Sequence, residues 1–181
     1  MKRLLTTVFG IVLISFTLVA CGGEKGNLVN DMVKQLAALQ VESYRLGEFS
    51  ISEAQGEKYH SAAIFRYEEE VGNLTIIEND GTFGGAVVKG DSSGSYPEAF
   101  PVQILQDVGV SEQNIERIKK EIFYASELEQ LKWLDLNGYR IMGATIIEYE
   151  AQKTVFELYI LDAKNVKGYV EGKFQTSSLS E

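Results

Sequence analysis

Leu131-Lys-Trp-Leu-Asp-Leu136, Asn137-Gly138 and Tyr139-Arg-Ile-Met-Gly-Ala-Thr-Ile-Ile-Glu-Tyr149 form the stretch whose reading decides the fold. Two runs rich in apolar and β-branched residues flank an Asn-Gly pair. That pair is the strongest short signal for a two-residue hairpin turn, because both positions tolerate positive φ. The spacing predicts two antiparallel strands, and 154–161 and 166–174 extend them into a meander through turns at Ala151-Gln152 and 163–165. In 154–161 both alternating sets are apolar: Phe156, Leu158 and Ile160 on one side, Val155, Tyr159 and Leu161 on the other. Such a strand is covered on both faces. In 166–174 one set is Val, Gly, Val, Gly, Phe and the other Lys, Tyr, Glu, Lys, which predicts an edge or one wet face.

Toward the N-terminus the period changes. Val29, Met32, Val33, Leu36 and Leu39 make the stripe of an amphipathic helix over 27–40, with Asn27 as N-cap. From Tyr44 the period is two, and strands are expected near 44–53, 61–70, 73–79 and 83–89. Gly72-Asn73 and Asp80-Gly81 read as tight turns between them, and 90–96 as a polar Gly/Ser loop. The two prolines, Pro97 and Pro101, precede a short helical pattern of Val102, Leu105 and Val108. Ser111 then caps a helix with Ile115, Ile118 and Ile122 inward and Glu116, Arg117, Lys119 and Lys120 on a solvated face. The expected class is α+β: a mostly antiparallel sheet with two or three packed helices and a C-terminal β-meander, after a cleaved N-terminal signal helix. A single domain over 27–175 and a polar tail over 176–181 follow from the pattern.

Composition narrows the function. The chain has 181 residues, 17 Lys+Arg against 26 Asp+Glu, one His and one Cys, and a net charge of −9. An excess of acids disfavours nucleic acid, because phosphate binding needs clustered cations. One Cys excludes an internal disulfide and a cysteine-based zinc site.

The N-terminus carries the clearest motif. Lys2-Arg3 precede an uncharged, mostly apolar run of 17 residues from Leu4 to Ala20, and Cys21 follows. The run sits at the bottom of the range of about 17–25 residues that spans a bilayer. It contains Thr6, Thr7, Gly10, Ser15 and Thr17, and Gly22-Gly23 follows rather than a charged stop. A basic start, an apolar centre and small residues at the end are the parts of a secretory signal peptide. Leu18-Val19-Ala20-Cys21 resembles the lipobox of bacterial lipoproteins. The resemblance covers the first 21 residues and implies a signal peptide over 1–20, an acylated Cys21 and a lipidated tether over 21–26. It also implies a cell-envelope location on the extracytoplasmic side of a membrane. Two or three acyl chains, at about 0.8 kcal/mol per buried methylene, anchor firmly where one is marginal. Removal of 1–20 takes away Lys2 and Arg3 and no acid, leaving 15 basic and 26 acidic residues, net −11. Such a domain is repelled by anionic head groups.

Catalytic signals are thin. Gly90-Asp91-Ser92-Ser93-Gly94 matches G-x-S-x-G, but a hydrolase elbow expects its His after the Ser, and the one His, His60, precedes it. His60 reads as a half-exposed polar residue at a strand start. Glu68-Glu69-Glu70 alternates sides, so its carboxylates do not converge. The turns at 79–81 and 135–138 lack the alternating oxygen ligands of calcium loops. Tyr96, Phe100, Trp133 and Tyr139 could line a binding surface or serve the core. The expectation is a non-enzymatic accessory, assembly or ligand-binding module with no cofactor or metal. The membrane is met through the lipid on Cys21, and the partner is an envelope protein or a small molecule. The alternative is a small envelope hydrolase using carboxylates or Ser92.

Overall fold

The computed structural model describes residues 27–39, 41, 43–91, 98–123, 131–148 and 153–164. In chain order the elements are α1 (Leu28–Ala38), β1 (Tyr44–Leu46), β2 (Ser50–Ala54), β3 (Glu57–Arg66), β4 (Glu69–Asn79) and β5 (Thr82–Asp91). Then come α2 (Ala99–Asp107), α3 (Glu112–Ile118) with a π-helical turn at Lys119–Phe123, β6 (Lys132–Leu136), β7 (Tyr139–Glu148) and β8 (Lys153–Asp162). The eight strands among the described residues form one open antiparallel sheet in the order β1-β3-β4-β5-β8-β7-β6, with β2 also paired to β3. The α+β class and the antiparallel sheet agree with the sequence. The signal segment and 166–174 lie outside the described residues.

Local chemistry explains most boundaries. Asn27 accepts from the N–H groups of Val29 and Asn30, so α1 starts where its cap predicts. Ser111 Oγ accepts from Asn114 N and starts α3, whose Ile115 and Ile118 are buried. The α2 stripe is shifted from the expected one. Phe100, Pro101, Ile104 and Leu105 are buried, because Val108 is already the C-cap and cannot extend the stripe. Pro101 is accommodated in the first turn, where its missing N–H costs little. The Asn137-Gly138 hairpin forms as read, with φ of 51° and 83°. So does Asp80-Gly81, at 48° and 77°.

The N-terminal strands differ from their expected positions. The stretch 44–53 is not one strand: the chain leaves the ladder after Leu46, and β2 then turns through Gln55-Gly56 into β3. Gly72-Asn73 is not a turn but lies inside β4, with Gly72 opposite Gly90. A Cβ on Gly72 would stand 2.0 Å from the carbonyl oxygen of Lys89, so glycine is required there for close approach, beside the register shift at Ile64/Phe65. The real β3–β4 turn is Tyr67-Glu68. Gly90 and Asp91 likewise belong to β5, paired with Phe156 and Val155, so these two residues of the expected polar loop are strand.

The three helices pack on one face of the sheet. There Ile64, Leu74, Ile76, Val88, Ile141, Leu158 and Ile160 meet Val29, Met32, Leu36, Phe100, Ile104 and Ile118. A second cluster, on the opposite face, joins Ile77, Val87, Met142, Tyr159 and Leu161. All residues from Val155 to Leu161 are buried, as the double apolar pattern of that strand predicts. The register also sorts the turns. Gln55-Gly56, Asp80-Gly81 and Asn137-Gly138 share the end of the sheet where Asn27 meets Glu78. Tyr67-Glu68 is at the other end, the ten residues of β3 away, a distance of about 30 Å.

Tyr67 is unusual among these turns. Its φ is +56° and its side chain is 70% exposed. The three turns at the other end each place Gly after the first left-handed residue, whereas this one has Glu68. A bulky residue in the left-handed region costs about 1–2 kcal/mol, and an exposed ring returns little of that by burial. Tyr67→Gly is therefore expected to leave stability unchanged or raise it by up to about 1 kcal/mol, after glycine's own entropy cost. Gly72→Ala must move β5 backbone and should lose about 1–3 kcal/mol. Chemical denaturation of the two variants side by side tests both signs.

Candidate functional site

Among the described residues, two buried polar clusters and two surface depressions are places where chemistry could occur. The first cluster lies where α1 meets the sheet. His60 is the fourth residue of β3 and is 3% exposed, facing the helices. Its Nε2 lies 2.7 Å from Oε2 of the buried Glu78 on β4, the imidazole N–H donating. Asn27 Nδ2 donates to Glu78 Oε1 at 3.5 Å, and Lys58 Nζ is 3.9 Å from the same oxygen. The reading of His60 as a half-exposed residue at a strand start is thus corrected. It sits mid-strand on the core face, and burial is tolerable because the neighbouring strand supplies a carboxylate partner. The cluster fastens the cap of α1 to β3 and β4.

The second cluster occupies the opposite face. Lys89 on β5 and Glu157 on β8 are direct cross-strand partners, and the lysine ammonium pairs with the buried carboxylate. Tyr159, two residues along β8 and 1% exposed, donates its hydroxyl to the other carboxylate oxygen. Burial first, then the hydrogen bond and the charge of Glu157, push the Tyr159 phenol far above its usual pKa. At neutral pH this hydroxyl is a donor and not a base. Ser61 Oγ and Thr75 Oγ1, 2.9 Å apart, continue the polar band toward β3.

One surface depression of about 330 Å³ lies between the π-helical turn and β6, lined by Glu121, Ile122, Leu131, Lys132 and the half-exposed Trp133. The other, about 280 Å³, lies at the far end of the sheet and is lined by Val41, Ser43, Tyr44, Arg45, Tyr67 and Glu68. Two arginines stack on rings around it. Arg45 lies 4.4 Å from the Phe65 centroid, and Arg66 lies 5.9 Å from that of Tyr44. Arg45 also pairs with Glu68 at 3.6 Å. The Nε of Arg66 is sealed from solvent and has no hydrogen-bond partner.

The residues singled out from sequence are not brought together. Cys21, Ser92 and Tyr96 lie outside the described residues. Glu68, Glu69 and Glu70 are exposed at the Tyr67 turn and the start of β4. In the 135–138 turn, Asp135 is forked to Arg140 at 2.7 and 2.8 Å. That hydrogen bond holds the Asp135 carboxyl below its usual range and occupies both oxygens. Among the described residues there is no group of three or more His, Cys, Asp or Glu placed to hold a metal ion. Phe100 is in the core, and Tyr139 meets Phe83 edge-on at 5.8 Å. Sequence reasoning missed Arg45, Arg66 and Tyr67 around one depression, and the Lys89–Glu157–Tyr159 cluster. A turn without glycine between two strands, at Arg66-Tyr67-Glu68, was the available signal for the first. No protein-family model, curated protein or solved structure matches this chain.

The Tyr159 phenol makes a testable contribution to pH stability. In the unfolded chain it ionises near pH 10.0, while in the fold it stays protonated well beyond that. The unfolded state therefore releases a proton that the folded state keeps, so stability is full below pH 10 and falls as pH rises above it. Tyr159→Phe should flatten that alkaline fall. It should also lose about 1–3 kcal/mol at neutral pH, because the buried Glu157 loses a donor. Urea unfolding at a series of pH values separates the two effects.

Proposed function

We propose that this chain is a membrane-anchored cell-envelope lipoprotein whose domain works as a non-enzymatic accessory, assembly or ligand-binding module. The observation that carries the proposal is the order of basic Lys2-Arg3, an apolar run and Leu18-Val19-Ala20-Cys21. In this reading residues 1–20 are removed and lipid on Cys21 holds the domain on the extracytoplasmic side of a membrane. The spacer Gly22-Gly23-Glu24-Lys25-Gly26 is short and glycine-rich. Asn27 follows it and donates to Glu78 on β4, which joins the start of α1 to the sheet.

A binding or assembly role suits the polar groups better than hydrolysis does. A carboxylate acting as acid or base must be open to substrate. Glu78 and Glu157 are buried and engaged by His60, Lys89 and Tyr159. The net charge of the mature chain, −11, is spread through both halves, with 6 basic and 13 acidic residues over 21–100 and 9 and 13 over 101–181. That field keeps a tethered domain soluble and standing off anionic lipid.

Labelling with a clickable palmitate analogue tests the anchor. Wild type should take the label and migrate as the shorter mature form, whereas Cys21→Ser should stay full length and unlabelled. Label on Cys21→Ser would end this proposal. The lipid-free chain from Gly22 should not co-sediment with anionic vesicles or duplex DNA at about 0.15 M salt, where the Debye length is about 8 Å.

A further inference from the structure

We propose that the depression around Tyr67 is a binding site for a neutral saccharide ring. Tyr67 holds its ring in solvent from a left-handed backbone position, φ +56°, which costs stability without contributing to the core. Strain kept where packing does not need it points to function. Arg45 supplies the second observation. Its guanidinium lies over the Phe65 ring and pairs with Glu68 at 3.6 Å, and both line the depression with Tyr67. A solvent-facing donor and acceptor thus stand together beside an exposed ring, and a ligand carrying hydroxyl groups can bond to both.

The surroundings select the ligand class. Arg45 and Glu68, the two charged side chains of the lining, are paired with each other, so the local field favours neither a free anion nor a free cation. An extended peptide would need a continuous strand edge. Here the edge is broken, because β1 has three residues and the chain leaves the ladder over 47–49 before β2. A purely apolar ligand would strip water from Arg45 and Glu68 without replacing it. A neutral sugar meets each demand. Its C–H face stacks on the negative face of the Tyr67 ring, its hydroxyl oxygens accept from arginine, and its hydroxyl hydrogens reach Glu68. A volume of about 280 Å³ suits one or two rings, and so open a site predicts a dissociation constant on the order of millimolar. Asn27 lies at the opposite end of the sheet, so the site faces away from the chain's N-terminal side.

This inference names a ligand for the binding-module form of the proposed function. It does not depend on the anchor, since labelling of Cys21 and sugar binding are read separately. The full chain in detergent micelles would be titrated with tri-N-acetylchitotriose, maltotriose and cellotriose, and with trialanine and trilysine as peptide probes. Saturation-transfer difference NMR reports binding. At least one trisaccharide should bind, Tyr67→Phe should keep that binding, and Tyr67→Gly should weaken it at least tenfold. The thermal midpoint of Tyr67→Gly should meanwhile stay at or above that of wild type, which separates a lost ring from a lost fold. Failure of all three sugars, or equal binding by Tyr67→Gly, overturns the site. Binding of a peptide probe alone overturns the saccharide and leaves a binding module standing.

Discussion

The pairing of β5 with β8, Gly85 to Asp91 against Val155 to Leu161, joins two halves of the chain that would otherwise be separate sheets. On one side β1 to β5 follow each other by hairpins, apart from the break before β2. On the other, β6 to β8 form the meander. Among the described residues, only this non-sequential pair makes them one surface. It is stable because Leu158 and Ile160 face the helices while Tyr159 and Leu161 face the opposite cluster, all at 1% exposure or less. Burying each such side chain contributes about 1.5–3 kcal/mol. The helices depend on it as well, since their shared core spans strands from both halves.

The two faces of that sheet carry different chemistry. The helix side is apolar except at one end, where His60 and Glu78 satisfy each other and hold the cap of α1. The opposite side mixes apolar residues with a cross-strand ion pair and a buried phenol. Buried charges of this kind add little net stability, but removing one partner is costly. They act as specific fasteners between strands, because only the observed register sets Lys89 opposite Glu157.

Strain has its own location. The Gly-containing turns lie at the end of the sheet near Asn27, and each follows its left-handed residue, Gln55, Asp80 or Asn137, with a glycine that adopts positive φ freely. The far end has Tyr67 in that conformation, with aromatic and arginine side chains gathered around it. The end beside Asn27 is built for stability. The far end gives up some stability to display a ring.

Much of this fold was legible in the residue pattern, for identifiable reasons. Asn27 and Ser111 cap helices through contacts spanning two or three residues, and Asn137-Gly138 sets its hairpin through its own backbone preference. The double apolar set from Val155 to Leu161 foretold a twice-covered strand, since burial leaves a trace at every position. The lipobox resemblance at Cys21 is likewise a property of the sequence alone. What local pattern could not supply was the partner of each strand. Gly72 looks like a turn residue until the Lys89 carbonyl is seen 2.0 Å from where its Cβ would be. His60 looks exposed until Glu78 arrives from 18 residues away. Arg45 and Tyr67 are unremarkable in sequence and come to line one depression only when β1 is laid against β3. Short-range preferences are written residue by residue, whereas long-range pairing is chosen by the whole core at once, and tertiary structure alone decided it.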